Sequence, residues 1–310
     1  MDRQHIVILG PTATGKTRLA ALVAKGIGGE IISADSRQVY RGMDLGTGKD
    51  ILDYVVDGKA IPFHLINIVD AGSQYSIFDY QRDFAEAANG IQARNHTIII
   101  CGGSGMYLES ALGLYHLVET PADERFRKEA EELPDEVLLQ MLASLRPLHN
   151  TTDTTDRKRL IRAIEIARAE TADGQKNTKT PISSVTTDNS VVFGIRFPRS
   201  IIRQRITERL ELRIKEGMLN EVESLLNSGI KPEDLIYYGL EYKYLTLHLT
   251  GKISADEMFS LLNTAIHQFA KRQMTWFRRM EKKGIRIHWL DGSNGAEKNA
   301  TGIIRMVSKR

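Results

Sequence analysis

Cysteine is almost absent: Cys101 is the only one in 310 residues. A single thiol cannot close an internal disulfide, which excludes a disulfide-stapled scaffold and fits a reducing compartment. Long apolar runs are also missing; none approaches the roughly 20 residues a membrane-spanning helix needs. The first strand-like segment begins within a few residues of Met1, leaving no room for a signal peptide before it. The expectation is a soluble, cytoplasmic protein without a membrane partner. No internal repeat and no low-complexity tract is visible, which excludes repeat architectures. Excess charge is lacking as well. The net charge of +3 neither demands nor rules out a nucleic-acid partner, so local clustering has to decide. The length suits one large domain or two modest ones with a real core.

What is present is a phosphate-cradling loop. Gly10-Pro11-Thr12-Ala13-Thr14-Gly15-Lys16-Thr17 has the G-x-x-x-x-G-K-[ST] spacing. The strand-type run Ile6-Val7-Ile8-Leu9 precedes it, and Leu19, Ala20, Leu22 and Val23 follow at helical spacing. Glycines let the backbone curl so that several N–H groups face one anion, and the helix N-terminus adds its dipole. Lys16 supplies a mobile charge, and Thr17 is placed to hold Mg2+. An ordinary glycine turn is the alternative.

Gly28 to Ser36 reads as a turn, a short strand and a polar strand end. Functional groups in open α/β sheets gather beyond the carboxyl ends of strands, so Asp35 and Ser36 are candidates to face the loop; a turn carboxylate is the bland reading. Gln38 to Lys49 is glycine-rich and reads as a pocket-shaping loop. Pro62 to Asp70 reads as a strand in which His64 is structural. Ser76 to Asn95 reads as a helix. Thr97-Ile98-Ile99-Ile100-Cys101-Gly102-Gly103-Ser104-Gly105 is a buried strand by type. It ends without the aspartate that a phosphate-loop hydrolase uses to organise magnesium and water. Its glycines instead admit close approach by another backbone or a flat substrate, and Ser104 offers a hydroxyl at the same rim. A helix resumes from Met106 to Leu114.

From Glu119 to Val185 the chain turns highly charged and helical. Leu138, Leu139, Leu142 and Leu145 mark one helix. Asp153 to Asp156 can cap another over 157–170, with Leu160, Ile161, Ile164 and Ala167 as its buried stripe. Arg159 and Arg162 share a flank. The polar stretch Asp173 to Thr187 reads as a linker. The whole segment is an expected helical insert whose basic flanks either meet a phosphate backbone or are simply solvated.

Ser190 to Ile195 returns to strand type. The helix from Pro198 to Gly217 carries Arg205, Arg209 and Arg213 in a row that can close over a diphosphate, unless Glu208 and Glu211 occupy it. Met218 to Ser228 is a further helix. A capping box, Ser254-Ala255-Asp256-Glu257, opens a long helix with Met258, Leu261, Leu262, Ala265, Ile266 and Phe269 as its apolar face. Its basic end, with Trp276 and Phe277 among Lys271, Arg272, Arg278 and Arg279, suits nucleic acid or merely the helix dipole. Ile285 to Leu290 alternates as a final strand.

Taken together, these residues resemble the bacterial tRNA dimethylallyltransferases, also called tRNA isopentenyltransferases, nearly end to end. The likeness rests on Gly10 to Thr17, Ser33-Ala34-Asp35-Ser36 with Tyr40 to Asp44, and Gly102 to Tyr107. It continues in Arg159 and Arg162 to Glu165, Tyr238-Gly239, Ala270 to Trp276, and His288 to Asp291. Ser104 stands where the family usually has threonine, and Arg37-Gln38 and Thr171 to Asp188 are less typical.

The resemblance implies a P-loop NTPase-like parallel sheet flanked by helices, over 1–118 and 186–310. It also implies an all-helical insert over 119–185 that contacts tRNA. It implies transfer of the dimethylallyl group of dimethylallyl diphosphate to the exocyclic amine of the adenosine 3′ of the anticodon. Asp35 would be the base, and Ser104 would orient the amine or the leaving oxygen. Gly10, Pro11, Thr12, Ala13, Thr14, Gly15, Lys16 and Thr17 would bind the diphosphate, with the loop N–H groups, Lys16, Arg209 and Mg2+ on Thr17 stabilising it as it departs. Asp35, Ser36, Arg37, Gln38, Ser104, Arg127, Arg159, Leu160, Ile161, Arg162 and Ala163 match positions that contact the tRNA anticodon stem-loop. No protein partner is predicted. A transferase acting on free AMP and a small-molecule kinase are the competing readings.

Overall fold

The computed structural model describes residues 4–114, 120–147, 156–172 and 183–308. The chain divides into two compact units, 1–114 with 182–310, and 115–181. In chain order the larger unit first contributes β1 (His5–Leu9), α1 (Lys16–Ile27), β2 (Gly29–Ser33) and β3 (Tyr40–Arg41). It continues with β4 (Val55–Val56), β5 (Lys59–Ala60), β6 (Phe63–His64), β7 (Val69–Asp70), α2 (Ile77–Ala93), β8 (Thr97–Gly102) and α3 (Gly105–Ala111). The smaller unit holds α4 (Glu124–Glu131), α5 (Asp135–Leu145) and α6 (Arg157–Ala172). The larger unit then resumes with β9 (Ser190–Arg196), α7 (Arg199–Lys215), α8 (Met218–Asn227), α9 (Pro232–Tyr237) and α10 (Leu240–Leu249). It ends with α11 (Ala255–Lys282), β10 (Ile287–Asp291) and α12 (Ala296–Val307).

Six strands form one all-parallel sheet in the order β10-β9-β1-β8-β2-β6. The continuous apolar runs of β1 and β8 suit its centre, where both faces are covered. Side chains alternate across it. Val7, Leu9, Ile98 and Ile100 pack with Tyr80 and Phe84 of α2, Leu108 of α3 and Phe277 of α11. Ile6, Ile8, Ile99 and Cys101 pack on the opposite side with Leu19 and Val23 of α1 and Ile303 of α12. β1, β2 and β8 therefore deliver their carboxyl ends to one rim. A third core joins α7 to α11 through Ile206, Leu210, Val222, Tyr242 and Leu262. In the smaller unit, Phe126, Leu138, Leu142, Leu160 and Ile164 form a separate core.

Three local readings of the sequence are corrected. Pro62 to Asp70 is two strands, not one: Leu65 and Asn67 take positive φ angles of 61° and 56°, which turns the chain, so β6 joins β2 and β7 joins β3. Leu261 and Phe269 are exposed. Met258, Leu262, Ala265 and Ile266 are buried as expected, and the stripe continues through Ala270, Gln273, Phe277 and Met280. β10 is the final strand, as expected, and α12 follows it and packs on α1. Val185 fills the core of the larger unit, so the insert stops short of it. Of the expected cap at 153–156, Asp156 is described, and its Oδ1 accepts from Arg159 N. Residues 153–155, and 173–182 of the expected linker, lie outside the described residues. Among the described residues, no helix is long and apolar enough to cross a membrane.

Candidate active site

The Gly10–Thr17 loop curls between β1 and α1. Ala13 and Gly15 take positive φ angles of 61° and 78°, which folds the backbone around a hollow. Thr14 Oγ1 donates to Pro11 O at 2.8 Å and Lys16 Nζ donates to the same carbonyl at 2.9 Å. No side chain caps α1 and no acid lies in its first turn, so its leading amides are left for an anion.

The ends of β2 and β8 meet beside this loop. Ser104 N donates to Ala34 O at 3.3 Å, and Ser36 N donates to Ser104 Oγ at 3.2 Å. Asp35 Oδ1 accepts from Arg37 N at 3.2 Å, a local turn that aims the carboxylate. Asp35, Lys16 and Arg209 lie within electrostatic range of one another. Burial raises the Asp35 pKa, and the Arg37 amide and Lys16 oppose it. Burial lowers Lys16, with Cys101 and Asp35 pulling back. Burial lowers Arg209, and Arg213 adds to that. Cys101 is pushed up to about 12, chiefly by burial, which keeps it a neutral thiol.

The three arginines of α7 reach the same region. Arg205 Nε donates to Ala13 O at 2.8 Å. Arg209 Nη2 and Arg213 Nη2 each donate to one oxygen of Asp50 at 2.9 Å. Of the two alternative partners, Glu208 accepts from Gln204. Thr12, Ala13, Arg209, Arg213 and Glu241 line a small cavity. Three residues here escaped the sequence reading as site residues: Asp50, Glu241 and Gln273. Asp50 ends the glycine-rich loop, and Gln273 sits in a motif otherwise read as basic and aromatic.

The arrangement combines an anion cradle, flexible cations, a half-buried carboxylate and a hydroxyl at one rim. It can bind a diphosphate and accept a proton close by. Residues 38–280 match the IPP transferase family. The chain belongs to that family. It is 52% identical to tRNA dimethylallyltransferase 2 of Bacteroides fragilis over 294 residues, 94% of both chains. It is 50% identical to tRNA dimethylallyltransferase 1 of Porphyromonas gingivalis over 303 residues, 98% of this chain and 99% of that one. Among solved structures it resembles the full-length tRNA isopentenylpyrophosphate transferase of Bacillus halodurans, with TM-score 0.70 and 28% identity, covering 99% of this chain and 96% of that one. A eukaryotic dimethylallyltransferase acting on tRNA shares the fold, with TM-score 0.74 and 23% identity over 94% of this chain and 74% of that one.

Arg127 and Arg162 are both drawn to the buried Glu165: Arg127 Nε lies 2.8 Å from Oε1 and Arg162 Nη1 lies 3.0 Å from Oε2. Arg159 is exposed. Leu160 and Ala163 are buried and pack the core of this unit. His64 is structural, as expected: with His96 and Arg94 it surrounds the buried Glu30. Arg94 above all holds Glu30 down to about 2.

Proposed function

We propose that this chain transfers the dimethylallyl group from dimethylallyl diphosphate to the exocyclic amine of the adenosine 3′ of the anticodon in tRNA, releasing diphosphate. The carrying observation is that the anion cradle of Gly10 to Thr17, Asp35 and Ser104 share one rim, in a chain of the IPP transferase family.

The adenine amine is a weak nucleophile because its lone pair is delocalised into the ring. As the N6–C1 bond forms and the bond from C1 to the diphosphate oxygen breaks, Asp35 takes the N6 proton. Its burial strengthens it as a base, while Lys16 and Arg209 favour its charged form. Ser104 orients the amine or the leaving oxygen. Charge grows on the diphosphate in the transition state, so the α1 amides, Lys16 and Arg209 bind that state best.

A divalent cation suits this leaving group, and Mg2+ is our assignment, with Thr17 as its protein ligand. The donor set fits. Thr17 follows Lys16 in the first turn of α1, at the edge of the cradle, and Mg2+ takes phosphate and water oxygens with few protein ligands. When bound, it would neutralise charge on the diphosphate.

The target base must leave the anticodon-loop stack to reach Asp35. We assign tRNA contact to Asp35, Ser36, Arg37, Gln38 and Ser104 on the larger unit. On the helical unit we assign it to Arg127, Arg159, Ile161 and Arg162, with Leu160 and Ala163 contributing only backbone. The setting is cytoplasmic. The test offers labelled dimethylallyl diphosphate with unmodified tRNA, with AMP, or with neither. Label enters only the tRNA. Label in AMP would move the acceptor to a free nucleotide, and vigorous ATP consumption without transfer would make the protein a kinase.

A further inference from the structure

The stripe by which α11 enters the core is apolar except at Gln273, which is only 7% exposed. A carboxamide in such a place is costly unless both of its ends are bonded. Both are. Gln273 Oε1 accepts from Thr12 N at 2.9 Å, and its Nε2 donates to Gly103 O at 3.0 Å. The first partner lies in the phosphate loop after β1. The second lies in the glycine stretch after β8, one residue before Ser104.

The contact is close enough to dictate the sequence around it. A Cβ on Gly103 would stand 2.4 Å from Gln273 Nε2 and 3.2 Å from Gly10 O, so a side chain there would push the carboxamide off its bonds. From Gly103 the chain of contacts runs on: Ser104 N to Ala34 O, and Ser36 N to Ser104 Oγ. Asp35 lies between those two β2-end residues. Thr12, Gln273, Gly103, Ser104 and the Asp35 turn are thus one hydrogen-bonded series from the cradle to the carboxylate. Thr12 N–H is also turned away from any anion, which leaves the later amides of the loop to hold the diphosphate.

We propose that Gln273 is a positioning residue: it fixes the separation between the diphosphate cradle and the Asp35–Ser104 rim. This rests on the transfer reaction proposed above. Gln273 touches neither reacting atom. It acts through the two loops, and a displacement of about 1 Å between donor and base is worth about 100-fold in rate.

The experiment measures single-turnover prenylation of unmodified tRNA by full-length wild type, Gln273→Met, Gln273→Glu, Asp35→Asn and the Gln273→Met/Asp35→Asn double variant, with tRNA binding and melting followed in parallel. Gln273→Met lowers the transfer rate about 100-fold, with tRNA affinity unchanged. In the Asp35→Asn background the same substitution costs far less, because no base remains to be placed; a purely structural role would give additive losses. Gln273→Glu carries the test even if Gln273→Met fails to fold. A protonated carboxyl accepts from Thr12 N and donates to Gly103 O as the amide does, whereas a carboxylate cannot donate. Its rate relative to wild type therefore climbs as pH falls, and a flat ratio overturns the proposal. An active wild type with Gln273→Met within about threefold of it also overturns the proposal alone. A wild type that transfers nothing to tRNA overturns the reaction reading, and this inference with it.

Discussion

Arg209 and Asp50 form an ion pair, 2.9 Å from Nη2 to Oδ2, at the mouth of the phosphate cradle, and Arg213 grips the other carboxylate oxygen. Asp50 is half-exposed while Arg213 is largely covered, so the carboxylate sits where an anionic ligand would approach two guanidinium groups.

Asp50 competes with that ligand for Arg209 and Arg213. Asp50→Asn is expected to tighten diphosphate binding about fivefold, the scale of one partly exposed ion pair. Calorimetric titration with inorganic diphosphate checks this. Weaker binding would mean that Asp50 orients the arginines instead.

Acid sensitivity should trace to Glu30. Its carboxylate accepts from Nε and Nη2 of Arg94 at 2.8 Å each and is met by His64 and His96 at 2.7 Å each. The folded chain holds it down to about 2 from an ordinary 4.5. A folded pKa below the unfolded one gives stability that is complete above the unfolded value and is lost as pH falls toward 2. Solvent around the half-exposed Arg94 and His96 screens the effect, so the amount is on the order of 1–2 kcal/mol. Thermal melts of Glu30→Gln between pH 7 and pH 3 should start lower than wild type and fall less steeply. Parallel curves would remove Glu30 from the acid transition.

In the helical unit the arginines divide by role. Arg162 spans Glu165 and the carbonyl of Thr120, at 3.0 and 2.7 Å, whereas Arg159 is exposed. Arg159→Ala should leave melting unchanged, weaken tRNA binding, and reduce the salt slope of binding by about 1. Arg162→Ala should lower the melting temperature. Filter binding across a salt series, with melting curves, separates the two; an unchanged salt slope for Arg159→Ala would take it off the tRNA surface.

The phosphate loop, the strand ends at Asp35 and Ser104, and the capping box at Ser254 were legible because each is a local pattern with a local cause. The parallel sheet followed from continuous apolar runs. What stayed hidden depends on distant parts of the chain. Asp50 meets Arg209 across 159 residues and Gln273 meets Thr12 across 261, and no periodicity reports such a pairing. Leu261 and Phe269 looked like core because a wide helical stripe does not say where its edge lies. The split after His64 came from positive φ at Leu65 and Asn67, residues with no glycine to announce a turn.

The central claim is that a carboxylate beside an anion cradle readies an adenine amine for alkylation. Single-turnover transfer from labelled dimethylallyl diphosphate to unmodified tRNA by Asp35→Asn, with diphosphate affinity measured on the same preparation, tests it most directly. The account predicts a rate lower by about 10² to 10⁴ with diphosphate affinity nearly intact. Wild type is expected to show an acid limb displaced above the ordinary carboxylate value of 3.8 by the burial of Asp35, and Asp35→Asn to lack it. An unchanged rate with the acid limb still present would contradict it.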